Sequence, residues 1–355
     1  MRRPRSVRDA EVGGKRVLLR SDLNVPLEDD GVADDTRIRA ALPTIELLLE
    51  RTASQIVICS HLGRPKGPDP KLSLRPVARR LGELLGHQVA FDERGARLTL
   101  LENTRFNPEE TTNGEGYARD LARLGDLYVN DGFGSAHRAH ASTVGVAQLL
   151  PAYAGLLLER ELQELGKLLG DVDRPFALIS GGAKVEDKLG VLKHLGRRAD
   201  TVLIGGKMAE ELRDANPFDF PVVLPADVVA ASEFAPDADR RVTPYDDLPE
   251  GWLGLDIGPV TERRFAEEIA RAKTVFWNGP MGVFEWPRFA EGTKAVARAV
   301  ADVDGYTVVG GADSVRAVNE IGIADRIDWV STGGGASLEF LEGKELPGVA
   351  VIPEA

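Results

Sequence analysis

Residues 16–20 (RVLLR) and 55–60 (QIVICS) are short apolar runs. They bracket residues 36–51, where Ile38, Leu42, Ile45, Leu48 and Leu49 share one helical face. Strand, helix, strand is the repeating unit of a parallel sheet, and the rhythm continues outward. Residues 74–85 read as helix, 98–101 as strand, 117–124 as helix and 127–130 as strand. Residues 155–170 (GLLLERELQELGKLLG) then form a strongly amphipathic helix with no strand directly before it. The rhythm resumes with a strand at 176–180 and a helix at 185–195. Further strands are expected at 201–204, 222–224, 254–257, 274–277, 307–309 and 328–330, with helices at 261–271 and 292–301 among them. Two α/β halves joined by a helix near 153–171 follow from this order.

Composition narrows the function classes. The 355 residues carry 44 Lys+Arg and 56 Asp+Glu, a net charge of −12, which argues against nucleic acid or an anionic membrane as partner. The charge is uneven. Residues 1–150 hold 22 basic and 21 acidic side chains, and residues 151–355 hold 22 and 35. One cysteine, Cys59, lies in an apolar run, so no intrachain disulfide is possible and a reducing compartment is expected. The basic start Met1-Arg2-Arg3-Pro4-Arg5 lacks the apolar run of a signal peptide, and no stretch reaches membrane-spanning length. The chain reads as cytoplasmic.

In open α/β sheets ligands bind at the carboxyl ends of the strands. In the first half those places hold Asp22, Asn24, His61, Arg64, Arg105 and Arg138, with Arg37 at the start of the first helix. Taken singly, each has a plain structural reading. The Asp22/Asn24 loop is also an Asx-turn sequence, and a lone arginine is usually a solvated charge. Several strand ends converging on arginine or histidine instead form an inventory for a carboxylate or phosphate, because the guanidinium fork grips such oxygens in pairs. His137 and His140 lack the Cys or Glu that would complete a metal set.

In the second half the strand ends hold glycines: 181–182, 205–206, 279, 310–311 and 333–335. Glycines there let backbone N–H groups approach phosphates. Lys184 and Lys188, four apart, are expected on one helix face beside a phosphate chain, and Asp313 is a hard oxygen ligand for Mg2+. No Walker A or G-x-G-x-x-G pattern occurs.

Together these segments closely resemble the phosphoglycerate kinase family. The matches are RSDLNVP, HLGRP, LLENTRF, NDGFGSAHRAHAST, GGAKVEDK, WNGPMGVFE, GGADS and STGGGASLEFLEGK, in family order from residue 20 to 344. The resemblance implies two Rossmann-like three-layer α/β/α domains with mainly parallel sheets and a hinge helix. Residues 1–152 would bind phosphoglycerate, with the tail 340–355 packed back on them. Residues 153–171 would be the interdomain helix and 172–339 the nucleotide-binding domain. It implies that Asp22, Leu23, Asn24, Arg37, His61, Leu62, Gly63, Arg64, Arg105 and Arg138 bind phosphoglycerate. Gly182, Lys184, Lys188, Gly206, Asn278, Glu285, Gly311, Ala312, Asp313 and Ser314 would bind the nucleotide, Asp313 holding its Mg2+. Arg37, Lys184 and Gly333, Gly334 and Gly335 would act on the transferring group. The implied reaction is reversible phosphoryl transfer from 1,3-bisphosphoglycerate to ADP, with hinge closure, in a monomer. Such transfer needs positioning and charge more than a general base, which suits the absence of a Ser/His/Asp set.

The chain departs from the family pattern in four places. Lys207 and Ala312 stand where glycines are usual, adding charge or side-chain atoms beside the nucleotide. A helix is missing between Phe91 and Leu100, and a longer excursion is cut to LRDANPFDFP between Glu211 and Val222. The alternative, a phosphoglycerate- or nucleotide-binding sensor without catalysis, would be expected to lose charged catalytic residues first. Arg37, Lys184, Lys188 and Asp313 are all present.

Overall fold

A computed structural model describes residues 3–29 and 31–355. It divides into two compact units, one running to Gln163 and including Glu345–Ala355, the other Glu164–Lys344.

The first unit contains, in chain order, β1 (Arg16–Ser21), the hairpin β2 (Leu27–Glu28) and β3 (Gly31–Val32), α1 (Thr36–Glu50), β4 (Gln55–Cys59) and α2 (Arg75–Leu85). It continues with β5 (Ala90–Phe91), β6 (Leu98–Leu100), α3 (Glu115–Ala122), β7 (Leu127–Asp131), β8 (Ala152–Ala154) and the start of α4 (Leu156–Lys167). Six strands form one parallel sheet in the order β5-β6-β4-β1-β7-β8. Both faces are covered, which is why β1 and β7 read as near-continuous apolar runs and not as alternating ones. Val17 and Leu19 pack against Ile38, Ile45 and Leu48 of α1 and Val77 and Leu81 of α2. Leu42 and Leu49, expected on the buried face of α1, are only partly buried. Ala41 and Thr44 take their place.

The second unit contains β9 (Phe176–Ser180), α5 (Leu189–Gly196), β10 (Thr201–Ile204), α6 (Met208–Asp214), β11 (Asp227–Ala231), β12 (Arg240–Pro244) and β13 (Leu253–Ile257). After these come α7 (Pro259–Ala270), β14 (Thr274–Asn278), α8 (Glu291–Ala301), β15 (Tyr306–Gly310), α9 (Ala312–Ile321), β16 (Trp329–Val330) and α10 (Gly335–Leu341). Its parallel sheet runs β10-β9-β14-β15-β16. The short helix α11 (Pro347–Ala350) returns to the first unit, where Asn130 Nδ2 donates to Gly348 O at 2.9 Å.

Several expectations need correction. A strand, β8, does precede the long helix. With three residues it is too short to show a pattern. The helix itself is Leu156–Lys167, shorter than 153–171, and its N-terminal N–H groups at Leu157 and Leu158 are capped by Asp131 Oδ1 at 2.9 and 3.3 Å. The tail grouped with the first unit begins at Glu345, not at 340. Residues 222–224 make only a single bridge, Leu203 with Val223. β11, β12 and β13 form a separate antiparallel sheet outside the parallel order. Among the described residues no helix is long and apolar enough to cross a membrane.

Candidate active site

In each unit the chain leaves adjacent strands in opposite directions at one place: between β1 and β7 in the first, between β9 and β14 in the second. Such a switch point opens a crevice at the strand ends.

Asp22, Leu23 and Asn24 follow β1. Asp22 is 5% exposed and accepts from Arg37 Nη1 at 2.8 Å, Arg37 being the second residue of α1. Burial alone would raise its carboxyl. The Arg37 and Arg20 guanidiniums and the Asn24 N–H outweigh burial and hold it below the usual carboxylate value. Asn24 Oδ1 accepts the Gly63 N–H at 2.9 Å, and the Leu23 N–H donates to Ser60 Oγ at 2.9 Å, so the loops after β1 and β4 are pinned together. Leu62 is held by Asn103, whose Oδ1 accepts its N–H at 3.2 Å while Nδ2 donates to its carbonyl at 2.8 Å.

Basic groups gather here with few counter-charges. Arg105, half-buried after β6, donates to Gly63 O, and its Nε has no hydrogen-bond partner among the described residues. Burial, then the neighbouring Arg138 and Arg20 charges, brings it down to about 10. Arg64 is exposed, and Arg138 Nε donates to His137 Nε2 at 3.0 Å. Cations held this close favour a small polyanion, whose binding relieves their mutual repulsion. His61 is buried. Burial first, then the Arg20 charge, keeps its imidazole well below its ordinary value and therefore neutral at pH 7.

Sequence reasoning assigned no role to Arg20, Asn103, Glu110 or Ser142, which hold this cluster in place. The available signal was a charged residue inside the apolar run RVLLR. Arg20 lies in the central strand and is fully buried.

In the second unit Lys188 Nζ reaches across the switch point. It donates to Gly181 O after β9 and to Asn278 O at the end of β14, the latter at 3.0 Å. Lys184 does not share a helix face with it. Lys184 is an exposed loop residue, and α5 begins only at Leu189, after a 3-10 turn at Glu186–Lys188. Asn278 is 3% exposed and its Nδ2 has no partner among the described residues. A buried donor of this kind suits an anion.

The glycines have a reason beyond ligand access. A Cβ at Gly181 would lie 2.0 Å from Pro280 O, and one at Gly206 (φ +64°) 2.6 Å from Gly182 N. The N–H groups of Gly181, Gly205, Gly206 and Gly279 already donate within the protein, to Asn278 O, Ser180 O, Met281 O and Ser314 Oγ. The glycines at these strand ends first let backbone segments touch, and the amides of these four are engaged internally. Ser314 is fully buried, and the hydrogen bond from Gly279 makes it a brace for that loop.

Ala312 and Asp313 open α9, both exposed. Glu285 is exposed, 3.8 Å from Arg316 Nη1. Lys207 is exposed at the start of α6. Gly334 (φ +55°) precedes α10, and the Gly333 N–H donates to Ser331 Oγ at 3.3 Å. No group of three or more Cys, His, Asp or Glu among the described residues is placed to hold a metal ion. A lone carboxylate such as Asp313 still suits Mg2+, which keeps several waters and binds through one or two carboxylates plus phosphate oxygens.

Gly311 has φ +87°, and a Cβ there would come within 2.6 Å of Asn278 Nδ2. Gly311→Ala is expected to destabilise the second unit by about 1–3 kcal/mol, read by thermal unfolding.

The family model for phosphoglycerate kinase matches residues 7–220 and 212–344. The phosphoglycerate kinase of Moorella thermoacetica is 50% identical over 389 aligned positions, covering 98% of this chain and 99% of the relative. That of Rubrobacter xylanophilus is 51% identical over 386, covering 99% and 98%. Both alignments are longer than the 355 residues here, so the relatives carry residues this chain lacks. Among solved structures, the phosphoglycerate kinases of Coxiella burnetii (TM-score 0.83, 36% identity) and Pyrococcus horikoshii (TM-score 0.86, 32% identity) each align over 98% of both chains.

Proposed function

The chain belongs to the phosphoglycerate kinase family, and from that premise we propose the division of labour that follows. Its reaction is reversible phosphoryl transfer from 1,3-bisphosphoglycerate to ADP, giving 3-phosphoglycerate and ATP. The observation that best supports this reading is the Arg105 cluster. A half-buried guanidinium with an unpartnered Nε, among Arg20, Arg64 and Arg138, is arranged to receive a small polyanion.

The acceptor occupies the first unit. Arg64, Arg105 and Arg138 bind its phosphate and carboxylate oxygens, and Asn24 and His61 orient it beside Leu23, Leu62 and Gly63. Asp22 sets the direction of Arg37, which meets the oxygens of the group in transfer. The nucleotide occupies the second unit. Lys188 and Asn278 hold its phosphates at the β9/β14 crevice, Gly182, Gly206, Gly311 and Ala312 line it, Ser314 braces the loop, and Glu285 takes the ribose. Lys184 and the amides of Gly333–Gly335 neutralise the charge that develops on the equatorial oxygens.

Enzymes of this family use a magnesium-bound nucleotide, and Asp313 is the carboxylate proposed to hold the ion. The chemistry the ion would supply there is to offset the negative charge of the phosphates. No side chain is required to take a proton, because the carboxylate of 3-phosphoglycerate attacks already ionised. Because acceptor and nucleotide are assigned to separate units, transfer calls for a movement that brings the ligands within reach and excludes water.

A coupled assay with 3-phosphoglycerate and MgATP is expected to show turnover. Folded protein that binds both ligands without turnover would sink the assignment in favour of a sensor. Running the reverse direction with ADP and GDP tests whether Lys207 and Ala312 alter base choice.

A further inference from the structure

We propose that Arg20 is the positioning residue for His61: it holds the imidazole in the tautomer with its proton on Nε2, so that His61 meets the phosphoglycerate as a neutral hydrogen-bond donor. That the ligand is phosphoglycerate rests on the function proposed above. The tautomer does not.

The argument starts from cost. Arg20 is fully buried in the central strand of its sheet, at a place where Val or Leu would pack without a desolvation penalty. A buried guanidinium is strongly destabilising unless each donor is satisfied and its charge is answered. Its Nε donates to Ser142 Oγ at 2.9 Å, Nη1 to Ser21 O, and Nη2 lies 3.0 Å from His61 Nδ1. The answering charge is Glu110, also fully buried. Glu110 accepts from Ser142 Oγ at 2.6 Å and from the Ser142 N–H at 3.0 Å.

Every link in this chain has one possible direction. Guanidinium has no acceptor and keeps its proton. Ser142 Oγ therefore accepts from Arg20 and donates its own O–H to Glu110. By the same rule His61 Nδ1 presents its lone pair to Arg20, so the ring proton sits on Nε2. An imidazolium would turn an Nδ1–H toward the Nη2–H of Arg20, two donors face to face. The charged groups acting on the ring point the same way on balance. Arg20, Arg105 and Arg37 oppose a second proton, and Asp22 alone favours it.

The test is the 15N spectrum of the full chain labelled at histidine, at pH 7, with His61 assigned by the loss of its signals in His61→Gln. A lone-pair nitrogen at Nδ1 and a protonated Nε2, unchanged between pH 6 and 8, is the expected result. An Nδ1–H tautomer or an imidazolium overturns the proposal, even if the enzyme turns over normally. Absence of turnover with an Nε2–H spectrum instead refutes the kinase reading and leaves the tautomer standing. Arg20→Met should release the ring into mixed or protonated forms. It should also raise KM for 3-phosphoglycerate by ~10–100-fold, the scale found when the partner orienting a ligating imidazole is removed, with KM for MgATP unchanged. A fixed Nε2–H tautomer in folded Arg20→Met also overturns the proposal. Should that variant not fold, Arg20→Gln, whose amide can accept as well as donate and so does not impose one tautomer on the ring, replaces it with the same readouts.

Discussion

Arg37→Ala is expected to lower kcat by on the order of 10³-fold or more, the scale for an arginine that stabilises a phosphoryl group in transfer. The coupled assay at saturating substrates measures it. A second effect travels with the first. Arg37 Nη1 donates to the buried Asp22 carboxylate at 2.8 Å, so truncation removes the strongest of the groups that answer that charge. A loss of about 1–3 kcal/mol of stability is expected, discounted because the Arg37 side chain is 28% exposed. Because the folded Asp22 carboxyl lies below its unfolded value, the pair contributes in full above about pH 4 and is lost as pH falls through the folded value. Wild type should therefore lose its advantage over Arg37→Ala below about pH 4, read by denaturant unfolding. Arg37→Lys should recover stability better than rate, since a point charge answers Asp22 but cannot present two parallel donors to phosphate oxygens.

Lys184→Ala is expected to separate the two effects. Lys184 is exposed in the loop between β9 and α5 and makes no hydrogen bond or ion pair among the described residues. Its removal should leave thermal unfolding unchanged while lowering kcat by about 10²–10³-fold, as for loss of one group that stabilises transition-state charge. An equal fall in stability would show that the loop depends on Lys184 structurally. An unchanged kcat would remove it from the machinery. Lys188 offers the contrast. It is tied to the carbonyls of Gly181 and Asn278, so its truncation should cost both nucleotide binding and local stability.

The parts of the fold that were legible share one physical property. β1, β4, β7, β9, β14 and β15 are covered on both faces, so burial writes itself into the sequence as an apolar run. β12 has exposed Arg240, Arg241 and Val242, and its sheet covers the small cluster around Ala231, Leu255 and Phe289, so no such run appears in it. β8 is three residues long, and the strand expected at 222–224 is a single bridge. At that length pairing is decided by the neighbouring strand, not by local preference.

The site divides in the same way. That Asp22, Asn24, His61, Arg64, Arg105 and Arg138 follow strands was readable from spacing, because a parallel sheet brings its strand ends to one edge whatever the intervening lengths. Arg20, Glu110 and Ser142 were not readable as a group. They are separated by 90 and 32 residues, and only packing makes one hydrogen-bonded chain of them. The glycines were half readable. Their positions pointed to the second crevice. The tertiary structure shows that four of their amides bond within the protein, and that the Gly181 and Gly206 positions are small because backbone meets backbone there. The sequence by itself therefore determined which residue types stand at the strand ends, and through them the family and its chemistry. Only the tertiary structure decided which of those groups retain unsatisfied donors. A residue's type says what it can donate, but whether the donor is left for a ligand depends on every neighbour that folding brings within 3 Å or so.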